Sequence, residues 1–143
     1  MNIKRITWEQ ALAVRHQVLW PTKSALFCKV EGDETASHYG AFVNKQLVCV
    51  ASIYREGDMA RLRKFATLVE YQGQGIGTAV IQYIFSYLET TNVTHFWCDA
   101  RTSAIGFYQH LGMTISGDTF YKSDVEYVKM ACQLSNLTTP FKI

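Results

Sequence analysis

The chain has 143 residues, of which 48% are hydrophobic, 18% charged and 13% aromatic, and its formal net charge is +2 at pH 7. This balance is typical of a globular domain with its own core and excludes a disordered chain. The net charge is small and the Lys and Arg residues are scattered, so no nucleic-acid partner is expected.

The four cysteines, Cys28, Cys49, Cys98 and Cys132, are widely spaced. They form no CxxC pair and no His completes a zinc set with them, so we predict no metal site. Such thiols are typical of a reducing cytosol. The opening MNIKRITWEQ lacks a signal-peptide core, and the longest apolar run, residues 47–54, is far shorter than the ~20 residues that span a bilayer. The sequence therefore predicts a cytoplasmic protein with no membrane partner.

The first third of the chain begins with a helix signal. Thr7 and Gln10 have the spacing of a capping box, and Pro21 would end the helix at Trp20. Residues 21–37 show no clear period, which is compatible with either a short helix or a mobile loop.

Three strands are predicted next. HYGAFV and LVCVASIY are β-rich runs joined by a short turn at residues 44–46, which indicates a hairpin. After a turn at residues 56–58, ARLRKFATLV alternates polar and apolar residues as a third antiparallel strand.

The second half alternates helices and strands. IGTAVIQYIFSYLE carries a helical apolar stripe, VTHFWCDA is predicted as a buried strand, and SAIGFYQHLG as a helix that ends at Gly112. TFYKSD and EYVKMACQL follow as closing strands, and residues 135–143 form a tail. Residues 1–143 are therefore interpreted as one mixed α/β domain.

Gly73, Gly75 and Gly77 lie where the third strand ends and a helix begins. A helix N-terminus offers free N–H groups that suit a phosphate, and glycines let the backbone approach a ligand closely. The P-loop is excluded because no Lys follows these glycines, and the Rossmann fingerprint is excluded because the third glycine comes one residue early.

Two segments carry a family resemblance. Residues 72–77, QGQGIG, resemble the Q/R-x-x-G-x-G/A motif of the GCN5-related N-acetyltransferases (GNAT), and residues 104–113, AIGFYQHLGM, resemble that family's A-x-x-F-Y-x-x-x-G-F segment. The resemblance covers roughly residues 40–130. It implies an α/β (α+β) fold whose central, mostly antiparallel twisted sheet has about six to seven strands. Helices would flank this sheet, and a splayed strand pair would form an acetyl-CoA cleft.

The implied activity is transfer of an acetyl group from acetyl-CoA to a primary amine of a small molecule or peptide by direct attack. Tyr108 matches the family's general acid, and a phenol with an ordinary pKa of about 10 would stay protonated until alkaline pH. Asp99, which ends the HFWCD strand, stands near the position of a catalytic carboxylate in some members. An ordinary turn or cap role for Asp99 and a water chain as the base are left open.

The resemblance also implies the residues that bind acetyl-CoA. Backbone groups of the third strand would pair with the pantetheine arm, and the glycine loop would hold the pyrophosphate. Arg101 and Val69 depart from the family, which often has Asn and Pro there. The implied cofactor-binding residues are Phe65, Ala66, Thr67, Gln72, Gly73, Gln74, Gly75, Ile76, Gly77, Thr78 and Arg101.

The acceptor is not chosen by the sequence. Asp33 with Glu34 would attract a cationic amine, whereas Arg61 with Arg63 would attract a carboxylate. Alternatives to an enzyme are a non-catalytic acyl-CoA-binding regulatory domain and a nucleotide-binding module, and a homodimer is left open. The candidate acceptor residues are His16, Trp20, Asp33, Glu34, His38, Arg61 and Arg63.

Overall fold

The structure is a computed structural model that describes residues 1–134, so the predicted tail at residues 135–143 lies outside the described residues. Within that range, three α-helices accompany a mostly antiparallel eight-stranded sheet, which confirms the predicted α/β class and adds strands to it. The elements are β1 Asn2–Ile6, α1 Trp8–Leu19, β2 Ser37–Val43, β3 Gln46–Glu56, β4 Met59–Thr67, α2 Ile76–Leu88, β5 His95–Arg101, α3 Ile105–His110, β6 Thr114–Ile115, β7 Phe120–Lys122 and β8 Val125–Gln133.

Contacts group the described residues into two compact units. Unit 1 comprises Met1–Tyr54 and Leu62–Ser86, and unit 2 comprises Arg55–Arg61 and residues 87–134. Strand β4 supplies residues to both. That the chain forms one domain stays a prediction. Among residues 1–134, none of the helices is both long and apolar enough to cross a membrane.

Unit 1 contains the strand order β1-β2-β3-β4. The β2–β3 hairpin closes through Asn44 and Lys45, whose φ angles of 50° and 67° fit a two-residue turn of type I′, so Gln46 already belongs to β3. Strand β1 is not predicted from the sequence, because the segment NIKRI lacks the strict alternation of polar and apolar residues typical of a half-buried strand, and only Ile6 is buried. Residues 21–36 contain only a short 3₁₀ helix, Leu26–Cys28.

Helix α1 begins where the sequence predicts. Thr7 accepts a hydrogen bond from the Gln10 N–H at 3.1 Å, and the Thr7 N–H donates to the Gln10 side chain at 2.8 Å, which completes the capping box. Helix α2 buries one stripe of its surface, with Val80, Ile81 and Ile84 fully inaccessible to solvent. Both helices thus follow from local sequence patterns.

Unit 2 contains the strand order β4-β5-β8-β6, with β7 paired to β8. Residues Met59–Arg61 pair in parallel with His95–Trp97, whereas β8 pairs antiparallel with the whole length of β5, from His95 to Arg101. Ser123 and Asp124, with φ angles of 50° and 63°, form the tight turn between β7 and β8. Strand β6 was missed because two residues are too short to show a period.

Helix α3 ends at a glycine, as predicted. The Met113 N–H donates to the Tyr108 carbonyl at 3.1 Å and the Gly112 N–H to the Gln109 carbonyl at 3.0 Å. These two bonds, with φ +92° at Gly112, form a Schellman motif. The motif satisfies the last carbonyls of α3 and fixes the helix turn that carries Tyr108.

Candidate active site

The glycine loop at the start of α2 leaves space beside its backbone. Gly73 and Gly75 have φ angles of +73° and +83°, which L side chains rarely adopt. Within residues 1–134, no atom outside the flanking residues lies within 4 Å of a Cβ built at either position. The Gly75 carbonyl accepts the first helical bond from the Ala79 N–H at 3.1 Å, so the N–H groups of the first turn have no partner within the helix. This arrangement suits a phosphate oxygen.

Two glutamine side chains brace this loop. The Gln72 amide donates to the Thr67 carbonyl at 2.9 Å, and the Gln74 amide donates to the Glu70 carbonyl at 3.0 Å. Gln72 therefore uses its side chain to tie the loop to the end of β4. The Thr67 carbonyl, one of the backbone groups assigned to the pantetheine arm, already accepts this bond.

The backbone of β4 departs from ordinary strand geometry at Lys64. Its φ is +55°, a left-handed value that is uncommon for a non-glycine residue and costs on the order of 1–3 kcal/mol. The departure comes just before Phe65–Thr67, of which Ala66 is buried and the other two are half-buried. Nothing in the local sequence pattern signals it.

Tyr108 lies on α3 and is only 8% exposed. Its hydroxyl hydrogen-bonds with the Cys98 thiol, and the Phe107 ring meets the Tyr108 ring edge-on at 5.1 Å. Burial, reinforced by Cys98, raises the pKa of Tyr108 well above its usual range. Burial also raises the pKa of Cys98 to about 12, so both groups hold their protons at neutral pH.

Asp99 is held by two cations. It accepts a hydrogen bond from the Arg61 guanidinium at 2.8 Å and from the Lys122 ammonium at 3.3 Å, and its side chain is 17% exposed. Arg101, two residues further on, is exposed at the end of β5.

The remaining acceptor candidates do not converge on one place. Asp33 and His38 are buried, so the prediction that Asp33 meets a cationic amine is wrong. Glu34 pairs with Lys29 at the surface. His16 contacts the Lys23 carbonyl at 2.6 Å, Trp20 packs edge-on against Phe27, and the Arg63 guanidinium lies 5.8 Å from the centre of the Tyr54 ring.

Asp33 belongs to a buried polar network in unit 1. Arg15 donates to both carboxylate oxygens of Asp33, at 2.8 and 3.0 Å, and the Val30 N–H and the Tyr54 hydroxyl donate to the same carboxylate. These donors outweigh the effect of burial and lower the pKa of Asp33 to about 2. The spacing between Arg15 and Asp33 gave no sign of this pair.

His38 extends the network to β3. Its Nε2 contacts the Asp33 carbonyl at 2.8 Å and therefore carries the proton, while Nδ1 lies 2.7 Å from the Ser52 hydroxyl. Burial lowers the pKa of His38, which keeps the ring neutral. Ser52, His38 and Asp33 share the residue types of a hydrolytic triad, but Ser52 is fully buried and also binds Arg15 at 2.8 Å, so the arrangement is structural.

Comparison with known proteins gives the family. Residues 10–134 match the model of the acetyltransferase (GNAT) domain. The chain is 32% identical over 129 residues to YitI, an uncharacterised N-acetyltransferase of Bacillus subtilis (strain 168), and the match covers 84% of this chain and 87% of that protein.

Solved structures agree in fold. The ribosomal-protein-S18-alanine N-acetyltransferase of Escherichia coli superposes with a TM-score of 0.78 at 18% identity, covering 99% of this chain and 97% of the other. An aminoglycoside 6'-N-acetyltransferase complexed with coenzyme A superposes with a TM-score of 0.77 at 15% identity, covering 98% and 99%. The domain match, which spans most of the chain, establishes that the protein belongs to the GNAT family of acyltransferases.

Proposed function

We propose that the protein is an N-acetyltransferase that moves the acetyl group of acetyl-CoA to a primary amine of a small molecule or peptide. The observation that carries the proposal is the open glycine loop at the N-terminus of α2, in a chain of the GNAT family. The coenzyme A bound by the aminoglycoside acetyltransferase of the same fold supports the choice of an acyl-CoA donor.

In this proposal the pyrophosphate binds to the backbone of residues 73–78. The empty space beside Gly73 and Gly75 admits the phosphate oxygens, and the free N–H groups at the start of α2 bind them. The side-chain hydrogen bonds of Gln72 and Gln74 hold the loop in this conformation. Backbone groups of Phe65, Ala66 and Thr67 pair with the pantetheine arm, and Arg101, an exposed residue, is a further proposed contact of the cofactor.

The reaction is a direct acyl transfer. A neutral amine attacks the thioester carbonyl, a C–N bond forms, the C–S bond breaks, and CoA leaves with the electron pair as a thiolate. The Tyr108 hydroxyl gives the proton to that sulfur and regains one from the water that carries off the amine proton. The raised pKa of Tyr108 fits an acid rather than a base, because the hydroxyl remains protonated at neutral pH. Asp99, which contacts Arg61 and Lys122, is the proposed base: it takes one proton from the incoming ammonium before attack, which leaves the neutral amine and passes that proton to solvent.

Turnover is the decisive test. The protein is incubated with acetyl-CoA and a panel of primary amines, and thiol release is followed in parallel with thermal melting. We expect amine-dependent thiol release, together with a higher melting temperature, because a ligand that binds only the folded state adds about 2.7 kcal/mol of stability at a hundred times its Kd.

Two outcomes would contradict the proposal. If acetyl-CoA protects the fold and no amine is acetylated, the chain is a CoA-binding regulatory domain. If millimolar acetyl-CoA gives no shift in melting temperature, or ATP protects better, the cofactor assignment fails. A homodimer and a cytoplasmic location stay predictions.

A further inference from the structure

One face of the sheet in unit 2 gathers positive charge. The register places Arg61 beside Trp97, and Lys129 opposite Asp99. Side chains alternate along a strand, so Trp97 and Asp99 lie on one face of β5, while the buried Phe96, Cys98 and Ala100 lie on the other. With Lys122, which contacts Asp99, these residues define what we call the cationic face: Arg61, Trp97, Asp99, Lys122 and Lys129.

The cations on this face are held in place by their neighbours. The Arg61 guanidinium and the Lys129 ammonium each lie 4.5 Å from the centre of the Trp97 ring, and Lys122 lies 4.7 Å from the centre of the Tyr127 ring. Cation–π contacts of this kind orient a charge without neutralising it. The positive charges therefore stay available to a ligand.

The charges on the face do not balance. Arg61 and Lys122 share one carboxylate, Asp99, and within residues 1–134 neither of them has another ion pair, while Lys129 has none. The Arg61 Nε is buried and makes no hydrogen bond within the described part of the chain. Like charges gathered this closely repel, and an added oxyanion would relieve the repulsion while giving the guanidinium a second partner.

Besides the cations that suit an anion, the cationic face contains a carboxylate, Asp99, that suits a cation. Its carboxylate would contact an ammonium group, while Arg61 and Lys122, at 2.8 and 3.3 Å from that carboxylate, would contact an anion close by. Arg61 is 28% exposed and Lys122 49%, so both are reachable from solvent. A ligand that contacts Asp99 as well as Arg61 and Lys122 carries a positive and a negative group within a few bonds of each other.

We propose that the cationic face recognises a carboxylate next to the amine of the acyl acceptor, so that the substrate class is amino acids or other amines with an adjacent carboxylate. This inference rests on the proposed N-acetyltransferase function. Arg61 and Lys122 are specificity-determining residues in it, and Lys122 replaces Arg63, which the sequence had paired with Arg61.

The test compares α-amino acids with their carboxamides, which keep the size of the carboxylate and remove its charge. With acetyl-CoA saturating, the wild type should show a lower KM for each acid than for its amide. Lys122→Gln and Arg61→Gln should raise the KM for the acids relative to the KM for the amides by roughly 10–100-fold, the range of a lost charge-assisted hydrogen bond. Because both residues also contact Asp99, any change in kcat should be the same for the acids and the amides.

A matched control is Arg55→Gln, an exposed residue of unit 2 whose guanidinium binds Asn92 at 2.7 Å, and it should behave as the wild type. Lys122 is exposed, so its variant tests the idea even if Arg61→Gln fails to fold. Comparing the KM of ethanolamine phosphate with that of ethanolamine tests whether the cationic face binds a phosphate group instead of a carboxylate. A preference for the phosphate over the amino acids would overturn the assignment of a carboxylate.

A second readout is independent of turnover. The indole N–H resonance of Trp97, identified with Trp97→Phe, should shift when an amino acid is titrated and should not shift with its amide. Equal KM values for acids and amides, or no indole shift with the acids, would overturn the inference while leaving the acetyltransferase function intact. An indole shift with no acetyl-CoA binding would instead contradict the proposed function alone.

Discussion

Burial of Tyr108 changes the pKa of its hydroxyl and with it the pH range in which this residue can donate a proton. An isolated phenol would lose its proton near pH 10, and the sequence alone therefore predicts an alkaline limit to activity. In the structure the ring is buried beside Cys98, and the pKa of Tyr108 is raised well above that value. The hydroxyl thus remains a proton donor at neutral pH and beyond the alkaline limit expected of an isolated phenol.

Tyr108→Phe should keep the packing of the ring and remove the proton donor. We expect kcat to fall by roughly 10²–10⁴-fold, the contribution of general acid catalysis, with little change in the affinity for acetyl-CoA. The wild-type rate should show no fall attributable to Tyr108 below about pH 10, because burial disfavours the phenolate.

Steady-state kinetics and calorimetry of acetyl-CoA binding check this prediction. Tyr121→Phe is a matched control, since Tyr121 is an exposed tyrosine of the same unit. Unchanged kcat in Tyr108→Phe, on a substrate whose chemical step limits the rate, would reduce Tyr108 to a packing residue.

Among the secondary-structure elements, the glycine loop before α2 has to adopt positive φ angles and also has to let a ligand approach its backbone closely. Gly75 needs a positive φ, so a side chain there strains the loop whether or not a ligand binds. Gly77 lies within the first turn of α2, and its φ angle is not positive. A substitution at Gly77 therefore tests obstruction of the ligand without adding the backbone strain that a substitution at Gly75 would cause.

Gly77→Val should weaken acetyl-CoA binding and leave the free energy of unfolding near its wild-type value. Valine is no worse than glycine as a helix former, so the fold loses little, while the side chain obstructs the N–H groups that bind phosphate. Calorimetric titration and urea unfolding measure the two effects. Ser86→Val, an exposed position further along α2, is the control. A folded Gly77→Val variant with full affinity would show that the glycine is structural.

At the scale of the whole molecule, two buried groups make stability depend on pH in the same direction. The pKa of Asp33 is lowered from 3.8 to about 2, chiefly by Arg15 against the opposing effect of burial, and burial lowers the pKa of His38. A lowered pKa in the folded state means that the unfolded chain takes up the proton first. Stability is therefore full above the unfolded pKa values and is lost as the pH falls.

The free energy of unfolding should decline below about pH 6.5 through His38, and again between about pH 4 and 2 through Asp33, which contributes about 2 kcal/mol. Urea unfolding across this pH range measures both steps. Asp33→Asn should destabilise the fold at neutral pH, because the Arg15 charge is then buried without its partner, and should abolish the lower step. Glu34→Gln, at the exposed neighbour, should leave the lower step in place. A step that survives in Asp33→Asn would show that another group causes it.

The features that could be predicted from the sequence depend on residues that lie close together along the chain. The capping box of α1, the apolar stripe of α2, the glycine C-cap of α3 and the two GNAT motifs depend on residues a few positions apart, so periodicity and spacing revealed them. Strands β1 and β6 were missed because one is polar along most of its length and the other has two residues.

The roles of the isolated polar residues depend on contacts that form only in the folded chain. Asp33 and Glu34 are adjacent in sequence, yet one is buried against Arg15 and the other lies at the surface with Lys29. Asp99 contacts Arg61 and Lys122, and Tyr108 contacts Cys98, although these partners are distant along the chain. Such contacts arise from strand register and packing, which bring distant residues together, and no local pattern in the sequence encodes them.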